Sequence, residues 1–290
     1  MRILIVIISF CGSFTSVFGQ DISSEIRNSK TQLPIQYVNI GIAGKNIGTV
    51  SDSLGCFKLS LTNTLNADTL RISAIGYKTK NYSVGSLRIK PLQKTILLDE
   101  EVIQLKEVIV SNKIQEALQL GLKRKYCYPI PLYKKVSGKV TFPQKNCTHE
   151  IGTRFTNKNT LKLDSVQINF AECHLENLKF RLNVYTISEN NIENVLQQPI
   201  YISLTKAQVL HFPMIDLTDY NINMESDFLI TIENYKKIPN GSLSLLANAK
   251  SKGRKFPTYY RDNSHGKWTR LTSKKSKPFG ISIISYVTQY

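Results

Sequence analysis

Two things are scarce in this chain, side chains that carry out chemistry and acidic residues. Only four histidines occur among 290 residues. None of them (His149, His174, His211, His265) stands in a His-x-x-Glu or His-Glu-x-x-His spacing, so the usual way of presenting two zinc ligands and a catalytic carboxylate is absent. The nearest metal set, Cys147-x-His149 with Cys173-His174, is poorly built, because adjacent residues of a strand point to opposite faces. No Gly-x-Ser-x-Gly elbow occurs; Gly241-Ser242-Leu243-Ser244 comes closest and reads as an Asn240-Gly241 hairpin turn entering a strand. The chain is therefore expected not to be an enzyme, with no catalytic, cofactor or metal residues assigned. One chemistry escapes this exclusion. A glycosidase needs only two carboxylates held a few ångströms apart, which a β-sandwich sequence can hide.

Long apolar runs are also missing beyond the first twenty residues, so the remainder is expected to have no transmembrane helix. The opening MRILIVIISFCGSFTSVFGQ has one basic residue, Arg2, an apolar run from Ile3 to Phe10, and small residues leading to Val17-Phe18-Gly19. This is the grammar of a secretory signal cut between Gly19 and Gln20. An uncleaved membrane anchor is the competing reading, disfavoured by the short charge-free segment; Cys11 is not preceded by a lipobox. The product is expected to be exported: periplasmic, outer-membrane-associated or secreted. Removing residues 1–19 leaves Cys56, Cys127, Cys147 and Cys173, too few to staple a chain of this size. Cys147 with Cys173 is the favoured disulfide, and buried free thiols are the alternative.

Acids number 21 against 38 lysines and arginines, a formal charge of +17. The imbalance is uneven. Residues 20–112 hold 11 basic residues against 8 acidic, whereas residues 113–290 hold 26 against 13. The densest part, AKSKGRKFPTYYRDNSHGKWTRLTSKKSKP, interleaves Arg261, Lys267, Lys274, Lys275 and Lys277 with Tyr259, Tyr260 and Trp268. Aromatic and basic side chains in this order could stack a sugar ring and bind its acidic substituents. For an exported protein the expected partner is no nucleic acid but an anionic envelope component (lipopolysaccharide, anionic lipid or acidic glycan) or another envelope protein. The plainer readings are a solubilising surface, and a Trp268 that belongs with one tyrosine to the core.

Along the chain the dominant period is two. Val38, Ile40 and Ile42 alternate before Gly44-Lys45-Asn46 turns the chain; Asp52-Ser53-Leu54-Gly55 suits a type I turn; Phe57, Leu59 and Leu61 then resume the alternation. The glycines of GIAGKNIGTVSDSLGCFKLSL cannot form a phosphate loop, because a strand pattern rather than a helix follows Gly48. They read as turn and bulge residues of an antiparallel sandwich. At residues 113–124 the period changes: Ile114, Ala117, Leu118, Gly121 and Leu122 share a helical face, and Asn112 can cap it. A short connector helix is expected there, followed by a Pro-containing basic linker, YCYPIPLYKKVSGK. From Ile151 onward strands return, with almost no helix signalled.

The series Leu33-Pro34, Tyr37-Val38-Asn39-Ile40, Gly48-Thr49-Val50-Ser51-Asp52, Gly55-Cys56-Phe57, Leu70 to Tyr77 and Leu105 to Val110 resembles the carboxypeptidase-like regulatory domain common in exported proteins of Bacteroidetes. The resemblance implies a seven-stranded, transthyretin-like Greek-key β-sandwich with no catalytic site of its own. Ile22 to Ile26 replaces the usual Gly-x-Val opening strand, and Cys56 stands where a polar residue is common. Leu105 to Val110 also resembles the stretch that leads into the plug of TonB-dependent receptors, but the 180 residues that follow are too few for plug and barrel. The pieces Glu150 to Thr153, Val166 to Phe170, Phe180 to Tyr185, Asp216-Leu217 and Asp227 to Leu229 resemble the C-terminal β-sandwich of unknown function that accompanies this domain. That likeness implies a jelly-roll-like fold shared with glycan-binding modules.

The expectation is thus an all-β chain: signal peptide 1–19, regulatory domain 20–112, connector helix and linker 113–147, and C-terminal sandwich 148–290. Its expected role is that of a non-catalytic exported binding or structural protein of the Gram-negative cell envelope, without cofactors. A glycan-binding or glycan-active hydrolase accessory protein is the alternative.

Overall fold

The computed structural model describes residues 21–101, 116–123, 125, 127–136, 139–142, 150–189, 191–236, 241–248, 255–272 and 279–290. Among these the chain is nearly all β, with two short helices, α1 (Val84–Ile89) and α2 (Lys206–Leu210). No described helix is long and apolar enough to cross a membrane.

The N-terminal part is a seven-stranded sandwich. Strands β1 (Asp21–Asn28), β2 (Asn39–Ile42), β3 (Gly48–Val50), β4 (Cys56–Ser60), β5 (Thr69–Ser73), β6 (Lys80–Ser83) and β7 (Thr95–Leu98) divide into a sheet ordered β4-β1-β7 and a sheet ordered β3-β2-β5-β6. Alternation decides which faces meet. Ile22 and Ile26 of β1, Phe57 and Leu59 of β4 and Ile96 and Leu98 of β7 face Ile40, Ile42, Leu70 and Ile72 in one buried core. Asp52 caps its turn as its sequence position suggests: Oδ1 accepts from the N–H groups of Leu54 (2.8 Å) and Cys56 (2.9 Å). The unusual opening stretch proves to be a full strand, and β1 lies at the centre of its sheet, parallel to β7 and antiparallel to β4.

The expected connector helix is not formed. Glu116–Gly121 is instead strand β8, and the Pro-containing segment read as a linker is strand β9 (Tyr128–Val136), followed by β10 (Lys139–Phe142). Leu118, Leu120 and Leu122 also repeat at period two; Leu118 and Leu120 pack against the C-terminal core and Leu122 is buried. Pairing with a distant strand satisfies them better than a one-sided short helix would. Pro129 and Pro131 fall on the part of β9 that pairs with β20 alone, an edge position of the kind where proline is tolerated.

The remaining strands are β11 (Glu150–Phe155), β12 (Leu161–Ile168), β13 (Phe170–Cys173), β14 (Asn177–Ser188), β15 (Asn191–Asn194), β16 (Ile200–Thr205), β17 (Met214–Asp216), β18 (Asn223–Met224), β19 (Phe228–Glu233), β20 (Gly241–Asn248), β21 (Thr258–Arg261), β22 (Thr269–Arg270), β23 (Gly280–Ile281) and β24 (Ile283–Gln289). They form three antiparallel sheets around one core, ordered β10-β9-β20-β13, β17-β12-β24-β8 and β15-β14-β19-β11-β21-β22. The first two are joined at a corner. The chain bends at Asn169, between β12 and β13, and at Ser282, between β23 and β24; Asn169 Nδ2 donates to Ser282 Oγ at 2.8 Å while backbone bonds carry the ladder past the bend. The third sheet carries the polar layer described next.

Candidate functional site

Four charged residues stand in one row across the third sheet. The register places Arg181 of β14 opposite Glu233 of β19, Glu233 opposite Glu150 of β11, and Glu150 opposite Arg261 of β21. Because strand side chains alternate, Asn183 and Tyr185 share the face of Arg181, and Thr231 that of Glu233, while Phe180, Leu182, Val184, Ile230 and Ile232 fill the core behind them. The face that alternation would give to water is therefore polar. It is nevertheless buried: Arg181 is 2% exposed, Glu233 1% and Glu150 0%.

Every group in the row has partners. Arg181 donates to Glu233 Oε2 from Nε (3.0 Å) and Nη2 (2.7 Å). Asn183 Nδ2 bridges the two acids, donating to Glu150 Oε1 and Glu233 Oε2, both at 2.8 Å. Glu150 accepts further from the Tyr185 hydroxyl (2.8 Å), the Thr231 hydroxyl and Arg261 Nε (2.7 Å), and Ser264 Oγ donates to Glu233 Oε1. Burial works against the charges of Arg181 and Glu233, but each holds the other ionised: Arg181 stays above its ordinary pKa and Glu233 below its own. Burial pushes the Tyr185 hydroxyl well above the usual range. The Arg261 guanidinium lies 4.4 Å over the Trp268 ring, which meets Tyr185 edge-on at 5.5 Å.

What covers this face is the N-terminal sandwich. Arg181 Nη1 donates to Tyr37 O (3.2 Å) and Nη2 to Asn39 Oδ1 (2.8 Å). The Tyr37 ring packs with Tyr235 (4.7 Å) and Tyr201 (5.5 Å) of the C-terminal part. Alongside, the loop between β21 and β22 docks on the β2–β3 hairpin. Asn263 Nδ2 donates to Lys45 O (2.8 Å), the Gly44 N–H to His265 O (2.8 Å), and Asn46 Nδ2 to Asp262 Oδ2. His265 Nε2 lies 3.2 Å from Asn39 O, so the ring carries its proton there; burial, with Arg261 and Arg71 nearby, pushes its pKa down to about 4. Gly41 and Gly48, read from sequence as turn or bulge residues, are paired strand residues instead. A Cβ at either position would come within 3.2 Å of Asn263, so the two glycines admit the docking loop.

Beside this seam lies a pocket of about 440 Å³. Residues 44–47 of the N-terminal hairpin form one wall, and Tyr260, Arg261, Asp262, Lys267 and Thr269 the other. Lys45 is fixed by Asp68 at 2.6 Å, and Lys267 is exposed with no acidic partner among the described residues.

The structure thus gathers Tyr260, Arg261, Lys267 and Trp268 at the seam, though in different roles. Arg261 and Trp268 belong to the polar layer. Tyr259 and Tyr260 point to opposite faces of β21: Tyr260 packs against the core and Tyr259 lies beside Arg154. Lys274, Lys275 and Lys277 lie outside the described residues, as do Gly19, Gln20 and Cys147. Cys173 is a buried free thiol whose Sγ donates to Leu175 O at 3.6 Å. Sequence reasoning missed Glu150, Arg181, Asn183, Tyr185 and Glu233. Their signal was present in the alternation Phe180-Arg181-Leu182-Asn183-Val184-Tyr185, which sets three polar side chains on one face of an otherwise apolar strand.

No curated protein matches the chain. Among solved structures it is similar to those of infectious bursal disease virus. For the Gx strain identity is 9%, covering 93% of this chain and 61% of the viral one, with a TM-score of 0.23. For the Gt strain the values are 10%, 93%, 64% and 0.21. The chain spans less than two thirds of those viral chains, and at such scores the likeness carries no argument about fold or role. The informative match is to the CarboxypepD_reg-like domain family, over residues 22–110, which contain the β1–β7 sandwich but for Asp21 at its start. The N-terminal part of this protein is therefore a carboxypeptidase-like regulatory domain, a β-sandwich that is non-catalytic in itself.

Proposed function

We propose that this protein is an exported, non-catalytic component of a Gram-negative cell envelope, in which the regulatory domain is locked to a C-terminal sandwich that holds an anionic partner. The observation that carries this reading is how the ionisable groups are spent. Glu150 and Glu233 share the Asn183 amide, so they are close enough to suggest the pair of a retaining glycosidase, whose carboxyls stand about 5–5.5 Å apart. Yet both are sealed from solvent and engaged by arginines and hydroxyls, with no free lone pair facing a cleft. A glycosidic bond cannot reach them without undocking the domains. Carboxylates in such a lattice fix the geometry of an interface.

The outward-facing groups have the opposite character. Lys267 and Arg270 are exposed without acidic partners among the described residues, and Lys274, Lys275 and Lys277 follow closely in sequence. Exposed cations of this kind attract anions at long range. The test is co-sedimentation with anionic vesicles, lipopolysaccharide and acidic glycans at two salt concentrations, comparing the wild type with a Lys274→Glu, Lys275→Glu, Lys277→Glu variant. Wild-type binding that weakens as salt rises and is lost in the variant is expected, since exposed charges are screened over about 8 Å at physiological ionic strength. Equal binding by both proteins, or none by either at low salt, would remove the basis of this reading.

A further inference from the structure

We propose that the seam pocket takes a single carboxylate-bearing sugar unit and that the pocket is complete only while the two sandwiches are docked. This rests on the reading of the protein as a binding component and narrows its ligand. The pocket's volume, about 440 Å³, sits at the lower end of ordinary ligand sites and has room for one or two pyranose rings. An acyl chain with its headgroup is too large for it.

The polar groups on its walls are mixed in sign and kind. Lys267 offers an ammonium with no acidic partner among the described residues. Lys45 offers a second, held in place by Asp68 at 2.6 Å. Asp262 presents a carboxylate already engaged on one side by Asn46, and Thr269 a hydroxyl. A purely anionic ligand such as phosphate would meet Asp262 as a repulsive neighbour. A neutral sugar would leave Lys267 without a counter-charge. A pyranose with one carboxylate satisfies both: the carboxylate accepts from Lys267 and Lys45, and ring hydroxyls donate to Asp262 and accept from Asn46 or Thr269.

Arg261 is held in the polar layer rather than offered to a ligand: its Nε and Nη2 donate to Glu150 and Tyr185, and its face covers Trp268. Its role is positional. It fixes the end of β21, from which Asp262 follows directly. Since one wall is the β2–β3 turn and the other the β21–β22 hairpin, a bound ligand touches both sandwiches, held in register by the bonds from Asn263 to Lys45 O and from the Gly44 N–H to His265 O. Ligand and docking must then stabilise each other, because whatever binds only the docked state shifts the equilibrium toward it.

The test is calorimetric titration of the full chain with glucuronate and galacturonate, using glucose and inorganic phosphate as comparison probes, with melting curves run in parallel. One uronate should bind at least about tenfold more tightly than glucose or phosphate and raise the melting temperature. Lys267→Glu, a change at an exposed side chain, should weaken it by about tenfold or more while leaving the circular dichroism spectrum intact. Uronate titrations that stay flat to about 20 mM, phosphate or glucose binding as tightly as uronate, or an unaffected Lys267→Glu protein would each overturn the proposal. If uronate binds but envelope anions do not sediment the wild type, the wider reading falls and the pocket stands. Salt-dependent sedimentation with a flat uronate titration sinks the pocket alone.

Discussion

Replacing Arg181 with alanine tests whether the buried row holds the domains together. The guanidinium is 2% exposed and makes two bonds to Glu233, one to Tyr37 O and one to Asn39 Oδ1. Its removal leaves Glu233 charged in a site that excludes water, with only Ser264 and Asn183 donating to it directly. Breaking a buried pair by deleting one partner costs about 3–5 kcal/mol. An overall loss of about 4 kcal/mol is expected, a fall in melting temperature of about 10 °C for a chain of this length. Urea unfolding followed by circular dichroism would measure it. A companion variant, Arg181→Met with Glu233→Met, removes both charges while keeping bulk, and should recover more than about 1 kcal/mol of the single variant's loss. Amide exchange adds a readout specific to docking, since separated sandwiches expose the β21–β22 loop at residues 262–266, which the β2–β3 hairpin holds. If Arg181→Ala costs less than about 1 kcal/mol and exchange in that loop is unchanged, the row is not what holds the sandwiches together.

Three further outcomes are expected. His265 is neutral when folded, its pKa pushed down to about 4 from 6.5, so between these values the unfolded chain binds the extra proton; stability should be intact above pH 6.5 and fall by about 3 kcal/mol as pH approaches 4. Glu233, held below its ordinary value, adds loss only below its usual pKa of 4.5, so a His265→Gln protein should show a flatter profile from pH 6.5 to 5, and parallel profiles would refute the assignment. Gly48→Ala puts a Cβ 3.0 Å from Ile40 O and 3.1 Å from Asn263 Cγ; a cost of about 1 kcal/mol is expected, with faster amide exchange in residues 262–266, and unchanged exchange there would argue against close docking. Gly121→Ala distinguishes strand from helix by sign. In a helix the change would stabilise by about 1 kcal/mol, whereas at φ +125°, with the new Cβ driven against Ile283 O, it should destabilise by more than about 2 kcal/mol in urea unfolding.

The elements legible in the sequence are those whose neighbours lie close along the chain or whose outer face meets water. Strand β4 shows this plainly, with Phe57 and Leu59 buried and Cys56, Lys58 and Ser60 exposed. Strand β8 was misread because Ile114, Ala117, Leu118, Gly121 and Leu122 fit one helical face, while the rival period-two signal of Leu118 and Leu120 is short and the partner strand β24 is more than 160 residues away. Only that pairing decides between them. The same distance effect hid the corner at Asn169 and Ser282, where two polar residues are wholly buried because each satisfies the other across a sheet bend.

The candidate site was hidden for a different reason. Alternation in β14 and β19 marks Arg181, Asn183, Thr231 and Glu233 as facing away from the core, and the ordinary inference is that such a face meets water. Here it meets another sandwich, so outward-facing residues become the most buried charges among the described residues. What betrays the difference is complementarity, and complementarity exists only in register: positions 150, 181, 233 and 261 mean nothing together until the sheet sets them side by side. On the N-terminal surface the corresponding sign is two glycines facing each other across β2 and β3, an arrangement that costs strand stability and repays it only if something approaches the bare backbone. Asn263 does so, from a loop that also supplies Ser264 to Glu233 and His265 to Asn39. One short loop therefore couples the buried charges, the regulatory domain and the pocket wall, so that a change in any one of them reaches the other two through contacts already made.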